Sequence, residues 1–480
     1  MLQIKYTGDR GVMEFGAALR RYIEKNGLSV SELSRKSGVT RTLIYAIMNG
    51  ERRLVPENSG RLISPRCFPA EDIEPLYQCW LENELTDEEI AVYRVLLRGL
   101  RGEIADGVCG ADLRYSPDAV VPENTVLRGR DSVLGAIAAA VNAGTKSLIS
   151  NFAFDDAVSP LIRRAIAENR VGSVLHTVCF DGSEPARKLR DMFAALAFAE
   201  IGIKTKIDDR TGGAWDSYLL TDRHFIQYNN DFSQALVLPA ADAPDGLAER
   251  YGSSKDFTVK YDGVFDSVIM NEMEQPTAGP RDLFAVTDVI SECFVSKKGI
   301  LCSLSPAVPE KEKKIIVQGL KNHFEIILGP DFYKQKMTNT LRCAIPDTAI
   351  ADFVDRGRIK DAPAWFFPNV PCDVRAEMLA PFIKRANASV SVIDTKRFGR
   401  LRTNIEGNSK NLTLVGVLGG DIEAPNAFKD IRVTYGDSIL SGMVMKVFDC
   451  FIHSHFCMEK NESSAFIEQQ LIKLDALSVE

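Results

Sequence analysis

Apolar residues recur at helical spacing through the first hundred residues of the chain, with polar residues between them. Phe15, Leu19 and Ile23 form the first apolar stripe, and Asn26-Gly27 follows it where a helix would stop. The pattern predicts a short amphipathic helix that buries one face.

Two more helices are predicted directly after this one, separated by a tight turn. Ser29 is followed three residues later by Glu32, which is the spacing of an S-x-x-E capping box at a helix start. Gly38 ends this helix, because glycine adopts the left-handed backbone of a helix end without strain. Thr40 then caps a third helix. Its inward apolar positions are Leu43, Ile44 and Ile47.

Two short helices joined by a glycine-containing turn and braced by a preceding helix form a helix-turn-helix unit. The segment resembles the Cro/repressor type (XRE-like) of helix-turn-helix regulator. The positions that match that pattern are Glu32-Leu33, Gly38-Val39, Thr40-Arg41-Thr42, Ile44, Ile47 and Asn49-Gly50-Glu51. Val30 departs from it, since the family often has a glutamine there that contacts phosphate.

The resemblance implies that the third helix lies in the major groove of DNA, with the start of the helix facing the bases. The DNA-binding residues that it implies are Thr40, Arg41, Thr42, Tyr45, Asn49, Arg52 and Arg53. Arg41, Thr42 and Tyr45 would face base edges, and Arg41 suits guanine because its fork of donors matches two adjacent acceptors. Asn49, Arg52 and Arg53 would contact phosphates.

Charge is distributed unevenly along the chain, whose formal net charge is -7. The window from Arg10 to Arg66 holds 11 lysines and arginines against five acidic residues, a net charge of +6. The chain after Arg66 therefore carries -13. A basic N-terminal segment on an acidic body indicates a nucleic-acid partner, because phosphate neutralisation requires cations. A module that mediates only protein contacts is the alternative interpretation.

The pattern divides the chain into six segments. They are a helix-turn-helix domain (1–65), a helical connector (66–110), a linker (111–125), an α/β effector domain (126–275), a second α/β or α+β domain (276–435) and C-terminal helices (436–480). In the connector, Thr86 and Glu89 form a second capping box. A homodimer is expected, because two-fold proteins of this kind contact two DNA half-sites. Leu96–Leu100 is the candidate interface.

From Val126 onward, predicted strands alternate with predicted helices of ten or more residues. The helices are "RDSVLGAIAAAVNAG", "SPLIRRAIAENR" and "EPARKLRDMFAALAFAEIG", and the strands are "TKSLISNFAF", "GSVLHTVCF" and "IKTKI". This alternation predicts an α/β layer with parallel pairing. A hairpin should follow, with Asp222-Arg223-His224 at its turn. The predicted fold class is thus multidomain, an all-α helix-turn-helix domain followed by a larger α/β (or α+β) body.

The order of these elements resembles one half of the phospholipase D-like fold, whose enzymes carry a catalytic H-x-K-x4-D on such a hairpin. Trp215 stands at the histidine position and Ser217 at the lysine position, and only Asp222 matches. Tryptophan and serine supply neither the imidazole nucleophile nor the phosphate-binding ammonium of that chemistry. The resemblance therefore implies an inactive domain, similar to sugar-sensing archaeal regulators whose former catalytic cleft binds an effector. Chance similarity among α/β domains is the alternative.

Aromatic and polar residues on the hairpin suit stacking and hydrogen bonding to a small polar ligand. The candidate effector-binding residues are Trp215, Tyr218, Gln227 and Tyr228. The competing interpretation is that they are ordinary half-buried strand residues.

A second series of patterns follows residue 276, and a divergent copy of the first unit is a hypothesis for it. "KEKKIIVQGLKNHF" and "VRAEMLAPFIKRAN" are predicted helices, and "EIILG", "SVSVIDT", "NLTLVGVLGG" and "DIRVTY" are predicted strands. The tail is predicted to be helical, with Cys450, His453 and Cys457 on one helix face. Zinc is disfavoured there, because one helix cannot surround a tetrahedral site and no partner CxxC is present.

Catalytic motifs are missing from the sequence. It contains no G-x-x-x-x-G-K-[ST] and no G-x-S-x-G, and its neighbouring residues supply no Ser/His/Asp set. It also shows no signal peptide and no long apolar span, so a cytoplasmic location is expected.

The sequence therefore predicts a cytoplasmic transcriptional regulator that binds double-stranded DNA, without enzymatic activity, cofactor or metal. An effector bound by the body would change the spacing of the two DNA-binding domains in a dimer, and operator affinity would follow by linkage. Two alternatives stay open, a DNA-associated enzyme and a phage-type repressor or interaction scaffold without an effector.

Overall fold

The chain folds as a helical N-terminal region followed by a body with two mixed sheets, which confirms the predicted fold class. The computed structural model describes residues 15–105, 120–151, 158–179, 184–200, 204–208, 217–229, 231–244, 258–261, 265–269, 284–288, 342–357, 370–385, 390–419 and 428–478. The first helices are α1 (Phe15–Lys25), α2 (Val30–Ser37), α3 (Arg41–Met48), α4 (Pro56–Leu62), α5 (Ala70–Glu84) and α6 (Asp87–Leu100).

The helix starts lie where the sequence predicts them. The hydroxyls of Ser29 and Thr40 each accept from the backbone N–H three residues later, at 3.1 and 3.3 Å. Thr86 begins α6 with a complete capping box. Of the capping box predicted at Ser29, only the bond to the Ser29 hydroxyl forms. The Glu32 carboxylate, which is predicted to accept from the Ser29 N–H, pairs with Lys36 at 3.1 Å instead. An exposed ion pair one turn along the helix thus takes the acid that would otherwise cap it.

Helices α4 to α6 share one hydrophobic core with the helix-turn-helix segment. Leu33 and Ile44 are fully buried in the same cluster as Tyr77 and Trp80 of α5. The Trp80 indole N–H donates to the carbonyl oxygen of Leu54 at 2.8 Å, which ties α5 to the segment after α3. Residues 15–105, called here the N-terminal bundle, therefore share a core that continues into the body, and the predicted boundary at residue 65 falls inside this core.

Within the described residues, the first sheet of the body has seven strands in the order β1-β7-β6-β5-β2-β3-β4. The strands are β1 (Thr125–Arg128), β2 (Thr145–Asn151), β3 (Val171–Cys179), β4 (Lys204–Asp208), β5 (Ser217–Leu220), β6 (His224–Tyr228) and β7 (Gln234–Pro239). Its helices are α7 (Arg130–Asn142), α8 (Val158–Ala167) and α9 (Pro185–Glu200). Strands β2, β3 and β4 pair in parallel, as the alternating pattern predicts, and the remaining pairs are antiparallel.

The predicted hairpin forms between β5 and β6, but His224 does not lie in its turn. His224 is the first residue of β6 and pairs with Pro239 of β7. The Thr221 hydroxyl accepts from the backbone N–H groups of Arg223 and His224, which closes the turn one residue earlier. The His224 imidazole lies 3.8 Å from the carboxylate of Glu123 and is largely buried.

The second sheet, as far as the structure describes it, has eight strands in the order β12-β11-β10-β13-β14-β15-β9-β8. The strands are β8 (Thr258–Tyr261), β9 (Phe265–Ile269), β10 (Phe284–Val286), β11 (Arg342–Pro346), β12 (Val390–Ile393), β13 (Asn404–Gly407), β14 (Asn411–Gly419) and β15 (Phe428–Gly436). Its helices are α10 (Asp347–Arg356), α11 (Cys372–Arg385) and the short α12 (Thr395–Phe398). The helix and strand predicted over residues 311–329 lie outside the described residues.

The two sheets repeat one topology. Each sheet has three parallel strands in chain order, β2-β3-β4 in the first sheet and β10-β11-β12 in the second. On the other side of the first of these strands lies an antiparallel meander, β5-β6-β7 in the first sheet and β13-β14-β15 in the second. The repeat supports the hypothesis of a divergent copy. The two copies share the order and direction of their strands, and this likeness leaves no fixed period in the sequence. The copies differ at one edge, where β1 is antiparallel to β7 but β9 is parallel to β15.

Helix α9 lies between the two sheets. It connects β3 to β4 in the first sheet and also packs on β14 and β15 of the second and on α6 of the N-terminal bundle. From Leu189 to Phe198 every residue except Arg190 is buried, and every buried residue is apolar except Asp191. The nearly continuous apolar stretch of this helix is explained by contacts on several sides.

The C-terminal helices α13 (Ser438–Ile452) and α14 (Lys460–Leu477) join the second sheet to the N-terminal bundle. Because α13 ends at Ile452, the single helix face predicted for Cys450, His453 and Cys457 does not form. Cys457 instead forms a β-bridge with Ile393. Burial raises the pKa of Cys450 to about 12 and that of Cys457 further still, so both side chains are protonated thiols.

The described residues contain neither a metal-binding cluster nor a membrane-spanning helix. No group of three or more His, Cys, Asp and Glu side chains is arranged to hold a metal ion among them. No helix in the same residues is long and apolar enough to cross a membrane.

Candidate nucleic-acid interface

Helix α3 is held in place by its apolar side. Ile44 and Ile47 are buried, at 0% and 2% exposed, and pack toward α1 and α2. Gly16 of α1 lies directly against the backbone of α3, where a Cβ would overlap the carbonyl oxygen of Ile47. This backbone-to-backbone contact determines the distance between the two helices, and with it the face that α3 turns outward.

The turn between α2 and α3 is closed by local hydrogen bonds. Gly38 has a φ of 69°, in the left-handed region, and its N–H donates to the carbonyl oxygen of Ser34. The buried Ser37 hydroxyl donates to the carbonyl oxygen of Leu33 at 2.7 Å and accepts from the Val39 N–H at 3.1 Å. Val39 is itself buried in the core, so the turn is anchored and the angle between the helices is set.

The outward face of α3 presents the residues predicted to contact bases. Thr40, Arg41 and Thr42 are exposed, and Tyr45 is 53% exposed although it is large and aromatic. The Thr40 hydroxyl is occupied as the helix cap. The side chains of Arg41, Thr42 and Tyr45 make no hydrogen bond or ion pair with any residue that the structure describes. Donors and acceptors that are exposed, unpaired and held on a rigid helix are available to base edges.

The residues predicted to contact phosphate fall into two groups. Arg52 and Arg53 are exposed and form no ion pair with a described carboxylate. Asn49 is engaged within the protein, because its side-chain oxygen accepts from Arg20 at 3.2 Å and its nitrogen donates to Glu51 at 3.1 Å. The structure therefore places Asn49 beside the two arginines and uses its amide to close the end of α3.

Arg20 is a residue that sequence inspection missed. Its guanidinium donates to the carbonyl oxygen of Met48 at 3.3 Å as well as to Asn49, so it lies at the C-terminal end of α3. That end carries partial negative charge, which a cation stabilises. The available signal was its place on α1 directly after the buried Leu19, but nothing local shows that α1 and the end of α3 meet.

Another cation of α1 is engaged in packing. Lys25 pairs with the buried carboxylate of Asp72, to which Asn26 also donates at 2.8 Å. Burial opposes ionisation of Asp72, but the hydrogen bonds from Lys25 and Asn26 outweigh it and leave the pKa of Asp72 below its usual value. This charged contact joins the end of α1 to the start of α5.

The N-terminal bundle is docked on the C-terminal segment at several points. Arg66 pairs with Glu459 at 3.1 Å and with Glu462 at 2.8 Å. The buried Tyr77 hydroxyl donates to the carbonyl oxygen of Cys450 at 2.8 Å. The orientation of α3 is thereby tied to the second sheet as well as to its own bundle.

A histidine reinforces this junction. The His455 imidazole lies 3.0 Å from the Glu74 carboxylate, and the hydrogen bond between them lowers the pKa of Glu74 although burial opposes it. The ring also packs edge-on against Tyr77, with centroids 5.1 Å apart. Gly60 of α4 completes the contact, since a Cβ there would reach the carbonyl oxygen of His453 at 2.5 Å.

The structure describes three of the four hairpin residues predicted to bind an effector, and it divides these three between the two faces of the sheet. Trp215 lies outside the described residues. Tyr218 and Gln227 are paired neighbours on β5 and β6, so they share one face of the sheet. Tyr228 lies on the opposite face, 1% exposed and stacked on Phe232 with ring centroids 5.2 Å apart. An effector role for these residues stays a prediction.

Asp222, the one residue that matches the phospholipase D-like motif, has a structural partner. Its carboxylate accepts from the backbone N–H of Lys146 at 2.6 Å and from the Ser147 hydroxyl at 3.3 Å. These hydrogen bonds, the one from Lys146 first, lower the pKa of Asp222. The side chain thus links the β5–β6 turn to β2.

Comparisons with known proteins support the assignment of the N-terminal segment alone. The chain matches no curated protein sequence. Residues 14–72 match a family model described as a helix-turn-helix domain. That match spans α1 to the first residues of α5 and includes the turn at Gly38 and the exposed face of α3. The N-terminal part of the chain is therefore a helix-turn-helix domain of the DNA-binding class.

Proposed function

We propose that the protein is a transcriptional regulator that binds specific sites on double-stranded DNA through α3. The observation that carries this proposal is the exposed start of α3, where Arg41, Thr42 and Tyr45 have no partner among the described residues. A guanidinium fork and a hydroxyl on a rigid helix match the donors and acceptors of base edges in the major groove. Tyr45 adds an exposed aromatic ring to the same face.

Phosphate contacts would come from the cations around the end of α3. Arg52 and Arg53 are exposed there, and Arg20 adds a third guanidinium beside Asn49. Such contacts supply affinity and register but no sequence information. In this proposal Asn49 acts by holding Arg20, and any phosphate contact of its own is secondary.

The finer assignments belong to the same proposal. The positions from Glu32 to Glu51 support the Cro/repressor (XRE-like) type. The repeated sheet topology supports the resemblance of the body to an inactive phospholipase D-like fold, since two copies of one unit are what that resemblance requires. We infer that the body senses a small-molecule effector and that the protein acts as a homodimer in the cytoplasm, without catalysing a reaction.

The docking of the N-terminal bundle alters the expected mechanism. Because Arg66, Tyr77 and Glu74 all contact the C-terminal segment, the bundle would move together with the second sheet. An effector that favours one arrangement of the body would then change the distance between the two bundles of a dimer. Operator affinity would change by the difference in effector affinity between the two arrangements.

The test compares single substitutions in the full-length chain. Sites would first be selected from random duplexes, and binding then measured by fluorescence anisotropy. Arg41→Ala should lose preference for one base position by about 1–3 kcal/mol, because a base contact is removed. Arg52→Ala should weaken all sequences alike and lower the salt dependence by about one phosphate contact.

A matched control is Arg128→Ala on β1, an exposed arginine far from α3 in sequence and placed on the first sheet. It should leave both preference and salt dependence unchanged. The scaffold alternative predicts that wild-type protein ignores duplex DNA at low salt. That result, or equal behaviour of Arg41→Ala and wild type on selected and unselected DNA, would contradict the proposal.

A further inference from the structure

A second group of cations lies where the end of α6 meets the segment after β12. The members are Arg94, Arg98, Arg101, Lys396, Arg400 and Arg402, called here the basic patch. All are exposed except Arg101, which is half-buried. The chain after Arg66 carries a net charge of -13, so a concentration of cations here runs against the composition of the body.

Two chain segments about 300 residues apart are joined to make this patch. The Arg402 N–H donates to the carbonyl oxygen of Leu100 at 2.9 Å. The Arg101 guanidinium donates to the carbonyl oxygen of Phe398 at 3.0 Å and stacks over the Phe398 ring at 5.0 Å. Phe398 is itself buried, so the segment that carries Lys396 and Arg400 is fixed to the N-terminal bundle.

The arginines of α6 extend the patch along one side of that helix. Arg94, Arg98 and Arg101 are spaced by four and three residues, which places them on a single helix face. Among the described residues, Glu103 lies 3.5 Å from Arg98 and 3.9 Å from Arg101, and Arg101 also helps to lower the pKa of Glu74. Arg94 has no ion pair with a carboxylate in the described ranges.

The two cations of α12 and its following turn are also open. Asp394 caps α12 and pairs with Arg397 at 3.0 Å, which leaves Lys396 and Arg400 without an acidic partner among the residues that the structure describes. Gly399 has a φ of 92°, which turns the chain sharply between these two positions. Both charges are therefore carried on ordered backbone, so binding has only their side chains to order.

We propose that the basic patch binds the phosphate backbone of the DNA duplex held by α3, beyond the base pairs that α3 contacts. This inference rests on the proposed function. Arg94, Lys396 and Arg400 have no ion pair with a described carboxylate. Guanidinium and ammonium groups are the donors that phosphate oxygens accept from. The backbone hydrogen bond from Arg402 to Leu100 attaches the patch to the N-terminal bundle that carries α3, so the patch and α3 keep a fixed separation. The contacts add affinity without sequence information.

The experiment measures how binding of a mixed-sequence duplex depends on salt. A duplex of about 40 base pairs spans roughly four helical turns, longer than one half-site. Full-length wild type, Lys396→Gln/Arg400→Gln and a control, Arg128→Gln/Arg223→Gln, would be titrated from about 50 to 200 mM salt. The control removes the same charge from exposed positions of the first sheet.

The patch variant should bind several-fold more weakly at low salt, and its plot of log affinity against log salt should be flatter by about 2, since each lost phosphate contact removes about 0.9. The control should follow wild type. A slope for the patch variant equal to that of wild type would overturn the inference and leave the proposed function intact. Equal losses in the patch and control variants would also overturn it. A wild type that ignores the duplex at low salt would remove the proposed function, and this inference with it.

Discussion

The close contact between Gly16 and the backbone of α3 leads to a direct prediction about what orients the proposed DNA-binding face of α3. A Cβ at position 16 would overlap the carbonyl oxygen of Ile47 and lie 3.1 Å from that of Met48. Neither carbonyl can rotate away, because both belong to the backbone at the end of a helix. Gly16→Ala should therefore push α3 away from α1 by about 1 Å, the shift needed to restore an ordinary contact distance.

The cost can be estimated from two opposing effects. Forcing an extra methyl group into a packed contact costs about 1–3 kcal/mol. Replacing glycine by alanine within a helix stabilises the helix by about 0.5–1 kcal/mol, because alanine has the higher helix propensity. The net expectation is a loss of about 1–2 kcal/mol in unfolding free energy for the N-terminal bundle. Displacement of the base-contacting side chains should also weaken binding to selected DNA by about tenfold, equivalent to one lost base contact.

Gly135 provides a matched control. It lies within α7, and a Cβ there would meet nothing within 4 Å. Gly135→Ala should leave DNA binding unchanged and stabilise its own unit by about 0.5–1 kcal/mol, because only the helix preference remains.

Hydrogen exchange measured peptide by peptide would separate the two sites, because the chain has several packed units and a single melting temperature would merge them. Faster exchange in α1 and α3 is expected for Gly16→Ala alone. If Gly16→Ala protected α3 as well as wild type does and bound DNA equally, the argument that this contact orients α3 would be refuted.

Three further predictions concern groups buried in the junctions. Burial raises the pKa of Asp191 to about 7. The wild-type protein should therefore lose up to about 4 kcal/mol of unfolding free energy as the pH rises from about 4 to 7. In denaturant titrations, Asp191→Asn should show a flatter dependence of stability on pH and should be more stable than wild type at about pH 8. Asp72 has a lowered pKa, so its contribution is present at neutral pH and lost as the pH falls below about 4. Asp72→Asn should be less stable than wild type at pH 7, with the difference shrinking in acid; a constant difference would contradict this. Tyr77→Phe removes a hydrogen bond between the bundle and α13 and should cost about 1 kcal/mol, measured by denaturation, while Tyr45→Phe at the exposed face should cost nothing.

The packing of the N-terminal bundle also determines whether these experiments should use the whole chain or an N-terminal fragment. Trp80 and Tyr77 complete the core around α3, and both lie beyond residue 70. A fragment that ends there would expose the partners of these rings, and its failure to bind DNA would report on folding. Full-length protein is therefore the appropriate material for every test of the interface.

Local chemistry along the sequence determined the helices of the N-terminal bundle and many of the helices and strands of the body. Ser29, Thr40 and Thr86 carry their own capping partners within three residues, so helix starts follow from neighbours alone. The exposed face of α3 follows in the same way from the positions of its buried isoleucines. Turns are less certain, as His224 shows, because one hydroxyl at Thr221 was enough to move the end of a hairpin.

Only the tertiary structure decided how distant segments meet. The role of Arg20 depends on the approach of α1 to the end of α3, and the docking of Arg66 depends on residues almost 400 positions away. The topology that the two sheets share likewise depends on which strands pair, and widely different sequences can form the same strand order. Hydrogen-bonded caps and helical spacing act between neighbours in the chain, whereas strand pairing and docking are chosen by the total burial that all segments achieve together. No short window of the sequence contains that information.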